Sequence, residues 1–273
     1  MNFKYVFLFF TSILISCGEK TKEKVASKQD NNYPLHIVFV TGEEEYRSEE
    51  SFPMLAKLAK RELGAKVTVV YSLDSLGFID PNRTDHISGL EEFNEEWPAK
   101  VFGQQWITHH GHFDDGKFPV TDISIIESQS ENPILNGFEK FEAYSWLYHV
   151  DGGDWKLQGD SKPLLMGHST KSQHEIDGDL DKFSLDNPVA WTKSYTGTSG
   201  DKARVFFTTL GHPYDFKIPV VRKIAMNGIY WALGKEGEIP EDGVKVTLDE
   251  PFLPNNSGFG QKFKKNQKPT PIK

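Results

Sequence analysis

Residues 204–216 read RVFFTTLGHPYDF, and this stretch decides the fold. From 205 to 210 every side chain is β-branched, aromatic or leucine, which is typical of a strand buried on both faces. The run stops at Gly211, and Pro213 cannot continue a sheet. His212 is therefore predicted on the first turn beyond the carboxyl end of a buried strand, where the ligand sites of open α/β sheets collect. The alternative is a loop histidine that only hydrogen-bonds its own turn.

The N-terminal part of the domain reads as a βαβ unit. The apolar run at 35–40 predicts a strand, a helix with Ser48 as its N-cap follows, Gly64 ends that helix, and 66–71 predicts a second strand. Because a helix joins the two strands, they should be parallel with a right-handed crossover. The loop at 41–48 is acidic and lacks the Gly-x-Gly spacing of a dinucleotide site.

Shorter patterns predict the remaining elements. Predicted strands lie at 122–126, 144–150, 163–167, 188–195 and 204–210, and predicted helices lie near 97–102 and at 220–233. A glycine-containing turn separates the last two strands, so they are predicted to pair as an antiparallel hairpin.

Composition excludes several classes of protein. The formal net charge is −8 and no basic stripe is present, so nucleic acid is not expected as a partner. The single cysteine, Cys17, rules out a disulfide framework.

The N-terminus has the pattern of a secretion signal. Lys4 precedes an apolar run at 5–15, which is too short for a membrane-spanning helix and has the length of a signal-peptide core. The following residues 14–18, LISCG, resemble a bacterial lipobox, with cleavage before Cys17 and acylation of its sulfur. The alternative is ordinary secretion with an incidental cysteine.

The N-terminal organisation that follows is a lipoprotein signal peptide at 1–16 and a flexible polar tether at 17–33. The lipid would hold the protein on a membrane of the cell envelope of a Gram-negative-type bacterium. The mixed charges after Cys17 do not decide between the periplasm and the cell surface.

Several ordered strings resemble the ThuA-like (trehalose utilisation) domain family. They are EYR at 45–47, PILNG at 133–137, PVAW at 188–191, RVFFTTLGH at 204–212 and NGIYWALG at 227–234. The resemblance assigns 34–234 to a ThuA-like domain and leaves 235–273 as an extended C-terminal tail.

The resemblance implies an α/β fold, with a flavodoxin-like parallel sheet flanked by helices, as in class I glutamine amidotransferases, and the antiparallel C-terminal hairpin. Amidotransferase activity is excluded because Cys17 lies outside the domain. The family also implies a strand, a helix and another strand before residue 106. Such a unit needs ~30 residues or more, so the sequence predicts an internal deletion near 90–97 and an incomplete sheet.

Histidines at 109, 110 and 112 suggest zinc at first sight. Neighbours on a strand point to opposite faces, so only His110 and His112 could share a face, with His212 as a third ligand. No carboxylate completes a known zinc spacing, and a metal-free polar pocket without a cofactor is the prediction, with zinc as the alternative. By the resemblance, His110 and His212 form a catalytic acid/base pair.

A carbohydrate is the partner that the resemblance implies. The predicted substrate-binding residues are Tyr46, Arg47, His109 and Trp191. Trp106, Trp146 and Trp191 are each core candidates, and any of them lining a pocket could stack on a sugar. Two functions stay open: an enzyme acting on a sugar, such as an oxidised (keto) disaccharide, or a non-catalytic or decayed carbohydrate-binding module.

Overall fold

The computed structural model describes residues 35–83, 96–111, 116–151 and 156–273. The helices are α1 (Ser48–Leu63), α2 (Glu96–Phe102), α3 (Gln173–Asp177) and α4 (Pro219–Ala232). The strands are β1 (His36–Val40), β2 (Lys66–Val70), β3 (His109–His110), β4 (Thr121–Ile125), β5 (Phe141–Ala143), β6 (Leu147–Tyr148), β7 (Lys162–Ser169), β8 (Asp186–Thr196) and β9 (Lys202–Thr208). Within these ranges no helix is both long enough and apolar enough to cross a membrane. The predicted signal peptide, Cys17 and tether lie outside the described residues, as does most of the predicted deletion.

The predicted βαβ unit is confirmed. β1 and β2 pair in parallel from His36↔Lys66 to Val40↔Val70, and α1 connects them. Gly64 ends α1 with a left-handed backbone, φ 60°, as a helix C-cap glycine does. One face of the pair packs on α1 in a first core that includes Phe39, Leu55 and Leu58.

The opposite face of this strand pair carries exposed valines. Val38 and Val40 are 50% and 47% exposed, and Val70 is 38% exposed. Parallel sheets normally have both faces covered. This face therefore departs from a doubly covered α/β sheet.

The main sheet corrects the expectation of a parallel sheet. Its five strands lie in the order β5-β4-β7-β8-β9, and every pairing in it is antiparallel, including the predicted β8–β9 hairpin. A parallel pair needs a crossover connection, usually through a helix. Among the described residues, the parallel neighbours β1 and β2 are joined by a long helix, α1, which packs on them. The connection between β7 and β8 contains only α3, which has five residues, and these two strands pair antiparallel.

α4 joins the two hydrophobic cores. Val220 and Ile224 belong to the core under the main sheet, whereas Val221, Met226 and Tyr230 belong to the core under α1. The helix lies so close to β9 that a Cβ on Gly228 would be 2.1 Å from the Phe206 ring. Glycine is therefore required at 228 by close packing.

The segment 235–273 has a 3₁₀ turn at Glu236–Glu238 and several later turns, but no α-helix or strand. Val244 and Val246 are buried in the core under α1, and Phe252 and Ile272 pack against that core. This segment thus returns along α1 towards the loop after β1.

Candidate functional site

His212 lies on the turn after β9, as predicted, and is fully buried. Ser145 fixes this turn, because its Oγ accepts the backbone N–H groups of Gly211 and His212, both at 3.0 Å. The same hydroxyl donates to Asp215 Oδ2 at 2.6 Å. Asp215 also accepts the backbone N–H of Tyr144 at 2.6 Å and of Ser145 at 3.1 Å.

The Ser145–Asp215 pair explains a difference from the predicted strand at 144–150. The amide groups of Tyr144 and Ser145 bond the Asp215 carboxylate rather than a neighbouring strand, so the chain forms β5 before them and β6 after them. Burial raises the pKa of Asp215 to about 6, and its hydrogen bonds oppose that rise. The sequence analysis missed Asp215, because an aspartate after a proline turn is usually solvent-exposed. The only feature of the sequence that pointed to it was its position three residues after His212.

Three tyrosine rings enclose His212. The Tyr144 ring stacks on it at 5.6 Å, and Tyr46 and Tyr214 meet it edge-on at 5.6 and 5.3 Å between ring centroids. We call these four residues the tyrosine box. The backbone N–H of Tyr214 donates to His212 Nδ1 at 3.1 Å, which leaves the ring proton of the neutral imidazole on Nε2. Burial, with a smaller contribution from Lys217, lowers the pKa of His212 to about 3, so the ring is neutral at physiological pH.

The Nε2 atom of His212 is buried and has no hydrogen-bond partner among the described residues. The Gly116 backbone packs closely against this nitrogen, since a Cβ on Gly116 would lie only 2.6 Å from it and 3.0 Å from both Asn256 Oδ1 and Ser257 Oγ. Leaving a buried donor unpaired costs about 1–3 kcal/mol. A buried polar atom without a partner calls for an explanation, and a bound ligand is one of those explanations. Sequence analysis missed Asn256 and Ser257, which come from the C-terminal segment.

Tyr46 links the tyrosine box to a fourth tyrosine, Tyr148. The backbone N–H of Trp146 donates to the Tyr46 hydroxyl at 3.4 Å, and the hydroxyls of Tyr46 and Tyr148 share a hydrogen bond. Burial raises the pKa of Tyr148 to about 12 and that of Tyr46 well above its usual range. Both side chains are therefore neutral phenols at physiological pH.

Glu45 lies close enough to both tyrosines to raise their pKa values. Burial and the neighbouring Glu43 raise the pKa of Glu45 to about 7, against the opposing charge of Arg47. One carboxylate oxygen of Glu45 is buried without a hydrogen-bond partner in the described structure. A carboxyl group that titrates near neutrality has the pKa that general acid/base catalysis requires.

The two histidines of β3 point to opposite faces, as strand alternation predicted. The His109 ring stacks on Trp146 at 4.8 Å and meets Tyr148 at 5.6 Å, on the side of the tyrosine box. His110 instead bonds Ser172 Oγ through Nδ1 at 2.6 Å. The structure thus brings His109, not His110, to the neighbours of Tyr46, and the acid/base pairing of His110 with His212 stays a prediction.

His110 belongs to what we call the histidine cluster: His110, His149 and His174. The His110 and His174 rings lie 5.0 Å apart, and His174 bonds Thr108 at 3.1 Å and Asp179 at 3.0 Å. Burial and then the charges of His174 and His149 lower the pKa of His110 to about 4, although the Ser184 backbone raises it somewhat. His112 lies outside the described residues. In the described part of the chain, no group of three or more His, Cys, Asp or Glu side chains is arranged to hold a metal ion.

Arg47, predicted to bind substrate, is fully buried and caps α1 with a left-handed backbone, φ 58°. It occupies the N-cap position predicted for Ser48, because the Arg47 carbonyl accepts the N–H groups of Glu50 and Ser51. Its guanidinium donates to the carbonyls of Glu44, Glu45 and Gly258 and lies 3.5 Å from Glu49. In this state Arg47 ties the loop after β1 to the C-terminal segment, and its contact with a substrate stays a prediction.

Two tryptophans differ sharply in exposure. Trp191, predicted to bind substrate, is fully buried, donates Nε1–H to the Phe102 carbonyl at 2.6 Å and stacks on Phe207 at 4.6 Å. Trp106 is 64% exposed and its ring lies 6.4 Å from that of His109. Trp106 is therefore the better placed of the two to stack on a sugar.

A crevice of about 600 Å³ opens beside the tyrosine box. Tyr46, Trp106, Tyr148 and Gly211 line it at this end, and it continues between α1, β9 and α4. A larger cavity of about 1020 Å³ lies between α4 and the C-terminal segment, but no residue of the tyrosine box lines it. The crevice is the cavity that adjoins the candidate chemistry.

Comparison with known proteins identifies the family. The chain matches the model of the ThuA family, described as trehalose utilisation, over residues 86–232, which is more than half of its length. No curated protein and no solved structure is similar enough to count as a match. The chain therefore belongs to the trehalose-utilisation (ThuA) family, with a role related to trehalose utilisation.

Proposed function

We propose that this chain binds a sugar at the edge formed by the tyrosine box, with His212 Nε2–H donating a hydrogen bond to a sugar oxygen. The observation that carries the proposal is the buried, unpartnered Nε2 of His212, held in place by Ser145 and Asp215. Membership of the trehalose-utilisation family supports a carbohydrate as the ligand.

The chemistry of the surrounding groups favours a neutral ligand oxygen. A neutral imidazole with a pKa of about 3 is a weak base but a good N–H donor, so it can polarise a carbonyl without becoming charged. Glu45, with a pKa of about 7, is the neighbouring group suited to exchange a proton. In this proposal the carbonyl oxygen of a keto-sugar accepts a hydrogen bond from His212, and the Glu45 carboxylate takes a proton from the carbon next to that carbonyl and returns it to the resulting enolate.

The first experiment measures binding by isothermal titration calorimetry with trehalose, keto-trehalose and methyl glucoside. His212→Asn is expected to weaken the affinity for the preferred sugar at least about tenfold, the value of one hydrogen bond to a ligand. His168→Asn is the matched control, because His168 is exposed on β7 and pairs with Asp186. Near-ultraviolet circular dichroism checks that both variants fold. Equal affinities in both folded variants would contradict the role of His212.

The non-catalytic alternative is favoured by one observation: Glu45, the group proposed to exchange a proton, does not line the crevice. Glu45→Gln separates the two functions. For an enzyme, this change abolishes turnover and leaves sugar affinity within about threefold, since a glutamine keeps the shape of glutamate without its proton exchange. For a binding module, the unmodified protein binds sugar with no turnover to lose.

We also propose that Cys17 carries a lipid that anchors the protein in the cell envelope, and that β1 and β2 are what remains of a flavodoxin-like sheet. The lipobox-like residues 14–18 support the first statement, and the exposed valines of the β1–β2 pair support the second. Mass spectrometry of the mature N-terminus tests the anchor, with Cys17→Ser as its control. An unmodified Cys17 would show that the anchor is absent.

A further inference from the structure

The crevice beside the tyrosine box has an apolar body. Between α1, β9 and α4 its walls are formed by aromatic and aliphatic side chains, including Phe52, Leu55, Phe206, Phe216 and Ile229. Its volume of about 600 Å³ lies in the range of small-molecule sites. A bare sugar, whose surface is mostly hydroxyl groups, leaves such walls without a matching partner.

The end of the crevice near the tyrosine box is polar. Tyr46 and Tyr148 line it there, together with Trp106, which is 64% exposed. Ser48 and Gln104 also line the crevice; both are more than nine-tenths buried, and Ser48 Oγ and Gln104 Oε1 have no hydrogen-bond partner among the described residues. Such oxygens indicate a ligand with hydroxyl groups at this end.

We infer that the crevice binds the apolar aglycone of a glycoside whose sugar lies against the tyrosine box. This inference rests on the proposed function, because it takes the sugar position from His212. One amphipathic ligand satisfies both ends: hydroxyl groups meet Ser48, Gln104 and the tyrosine hydroxyls, and the aglycone covers the apolar walls. The substrate class is therefore a glycoside with an alkyl or aryl aglycone.

Calorimetry on the full chain with methyl glucoside and octyl glucoside, below the micelle concentration, tests the inference. Each buried methylene improves affinity roughly fourfold, so octyl glucoside is expected to bind at least about tenfold more tightly even if only two methylenes are fully covered. Octyl triethylene glycol carries the same chain on a head group that is not a sugar. It is expected to bind at least about tenfold more weakly than octyl glucoside.

Ala225→Phe fills the crevice from α4, since Ala225 lines it. This variant is expected to bind octyl glucoside no better than methyl glucoside, with the methyl glucoside affinity unchanged. Ala203→Phe is the matched control, because Ala203 is exposed on β9 and outside the crevice. If Ala225→Phe does not fold, Ala225→Leu provides a smaller obstruction of the same crevice and is expected to reduce the preference for octyl glucoside over methyl glucoside.

Three results would overturn the inference. If both glucosides bind equally and His212→Asn weakens both, the crevice takes no aglycone while the proposed function stands. If octyl glucoside and octyl triethylene glycol bind equally and His212→Asn affects neither, the crevice is an apolar site without a sugar partner and the proposed function also fails. If folded Ala225→Phe still prefers octyl glucoside over methyl glucoside, the octyl group binds elsewhere on the protein.

Discussion

The tyrosine box and the histidine cluster each hold a buried, neutral histidine, yet they are built differently. In the tyrosine box, three aromatic rings surround His212, and the Ser145–Asp215 pair fixes its backbone. In the histidine cluster, His110 meets other titratable rings and the Ser172 hydroxyl. The difference teaches that a buried ring nitrogen without a partner does not by itself mark a site, because Nε2 of both His212 and His110 lacks a partner among the described residues. His212 lies next to a residue that lines the crevice, Tyr46, whereas His110 lies against Ser172 and His174.

The largest difference is expected between the carboxylates that anchor the two regions, Asp215 and Asp179, in their contribution to the free energy of unfolding. Asp215→Ala is expected to lower the free energy of unfolding by about 4 kcal/mol, because buried N–H and O–H donors lose their acceptor. Asp179→Ala is the counterpart in the histidine cluster, where a half-exposed carboxylate pairs with His174, and it is expected to cost no more than about 1 kcal/mol. Urea unfolding at pH 7 measures both, and equal losses would remove the distinction between the anchors.

The two histidines should both link stability to pH. Their folded pKa values, about 3 for His212 and about 4 for His110, lie below the unfolded value of about 6.5. Their contribution is therefore complete above pH 6.5 and is lost as the pH falls, by roughly 3 kcal/mol for each histidine at pH 4. His212→Asn and His110→Asn should each remove about this much of the loss between pH 7 and 4.

Differences between variant and unmodified protein isolate this effect, because Asp215 and Glu45, with raised pKa values, change stability in the opposite direction. His174→Asn sharpens the comparison. It removes a neighbour that lowers the pKa of His110, so it should shift the acid transition only in a protein that keeps His110. A shift of the same size in the His110→Asn background would show that His174 acts by itself.

Removal of a single hydroxyl should lower the free energy of unfolding by a similar amount in the two regions, but it should weaken sugar binding in only one of them. Tyr46→Phe removes a hydroxyl of the tyrosine box, and Ser172→Ala removes the hydrogen-bond partner of His110; each is expected to cost about 1 kcal/mol. Only Tyr46→Phe should weaken sugar affinity, by about tenfold, since Tyr46 lines the crevice. Thermal unfolding and calorimetry on the same samples check both statements.

The smallest effect on stability is expected at Trp106. Because this side chain is 64% exposed, Trp106→Ala should change the free energy of unfolding by no more than about 0.5 kcal/mol while weakening sugar binding. Trp191→Ala, in the core, should cost about 3–5 kcal/mol. A sugar affinity unchanged in Trp106→Ala would exclude Trp106 as a stacking platform.

Local patterns predicted much of the fold. β1, α1, β2, the β8–β9 hairpin and α4 each follow from residues close together in sequence, and so does the position of His212 beyond β9. The antiparallel main sheet could not be predicted in this way, because β4, β5, β7 and β8 pair across intervals that carry no short turn signal.

The site was harder to predict because its parts are distant in sequence. Ser145 and Asp215 are separated by 70 positions, and neither carries a motif. Asn256 and Ser257 lie in a segment without sequence periodicity that packs only through the tertiary fold. Tyr46 was identified through the family resemblance. The sequence does not show which tryptophan side chains are exposed, so it could not select Trp106 over Trp191.

The bond between Arg47 and Gly258 spans 211 positions of the chain. During synthesis, residues up to 232 supply every described strand and α4 before the ribosome has made Asn256, Ser257 or Gly258. A protein interrupted in this interval has every described strand but lacks the Gly258 carbonyl to which the Arg47 guanidinium donates. Completion of the core under α1 is thus among the late events of biosynthesis, because a premature stop just beyond α4 would also remove the buried Val244 and Val246.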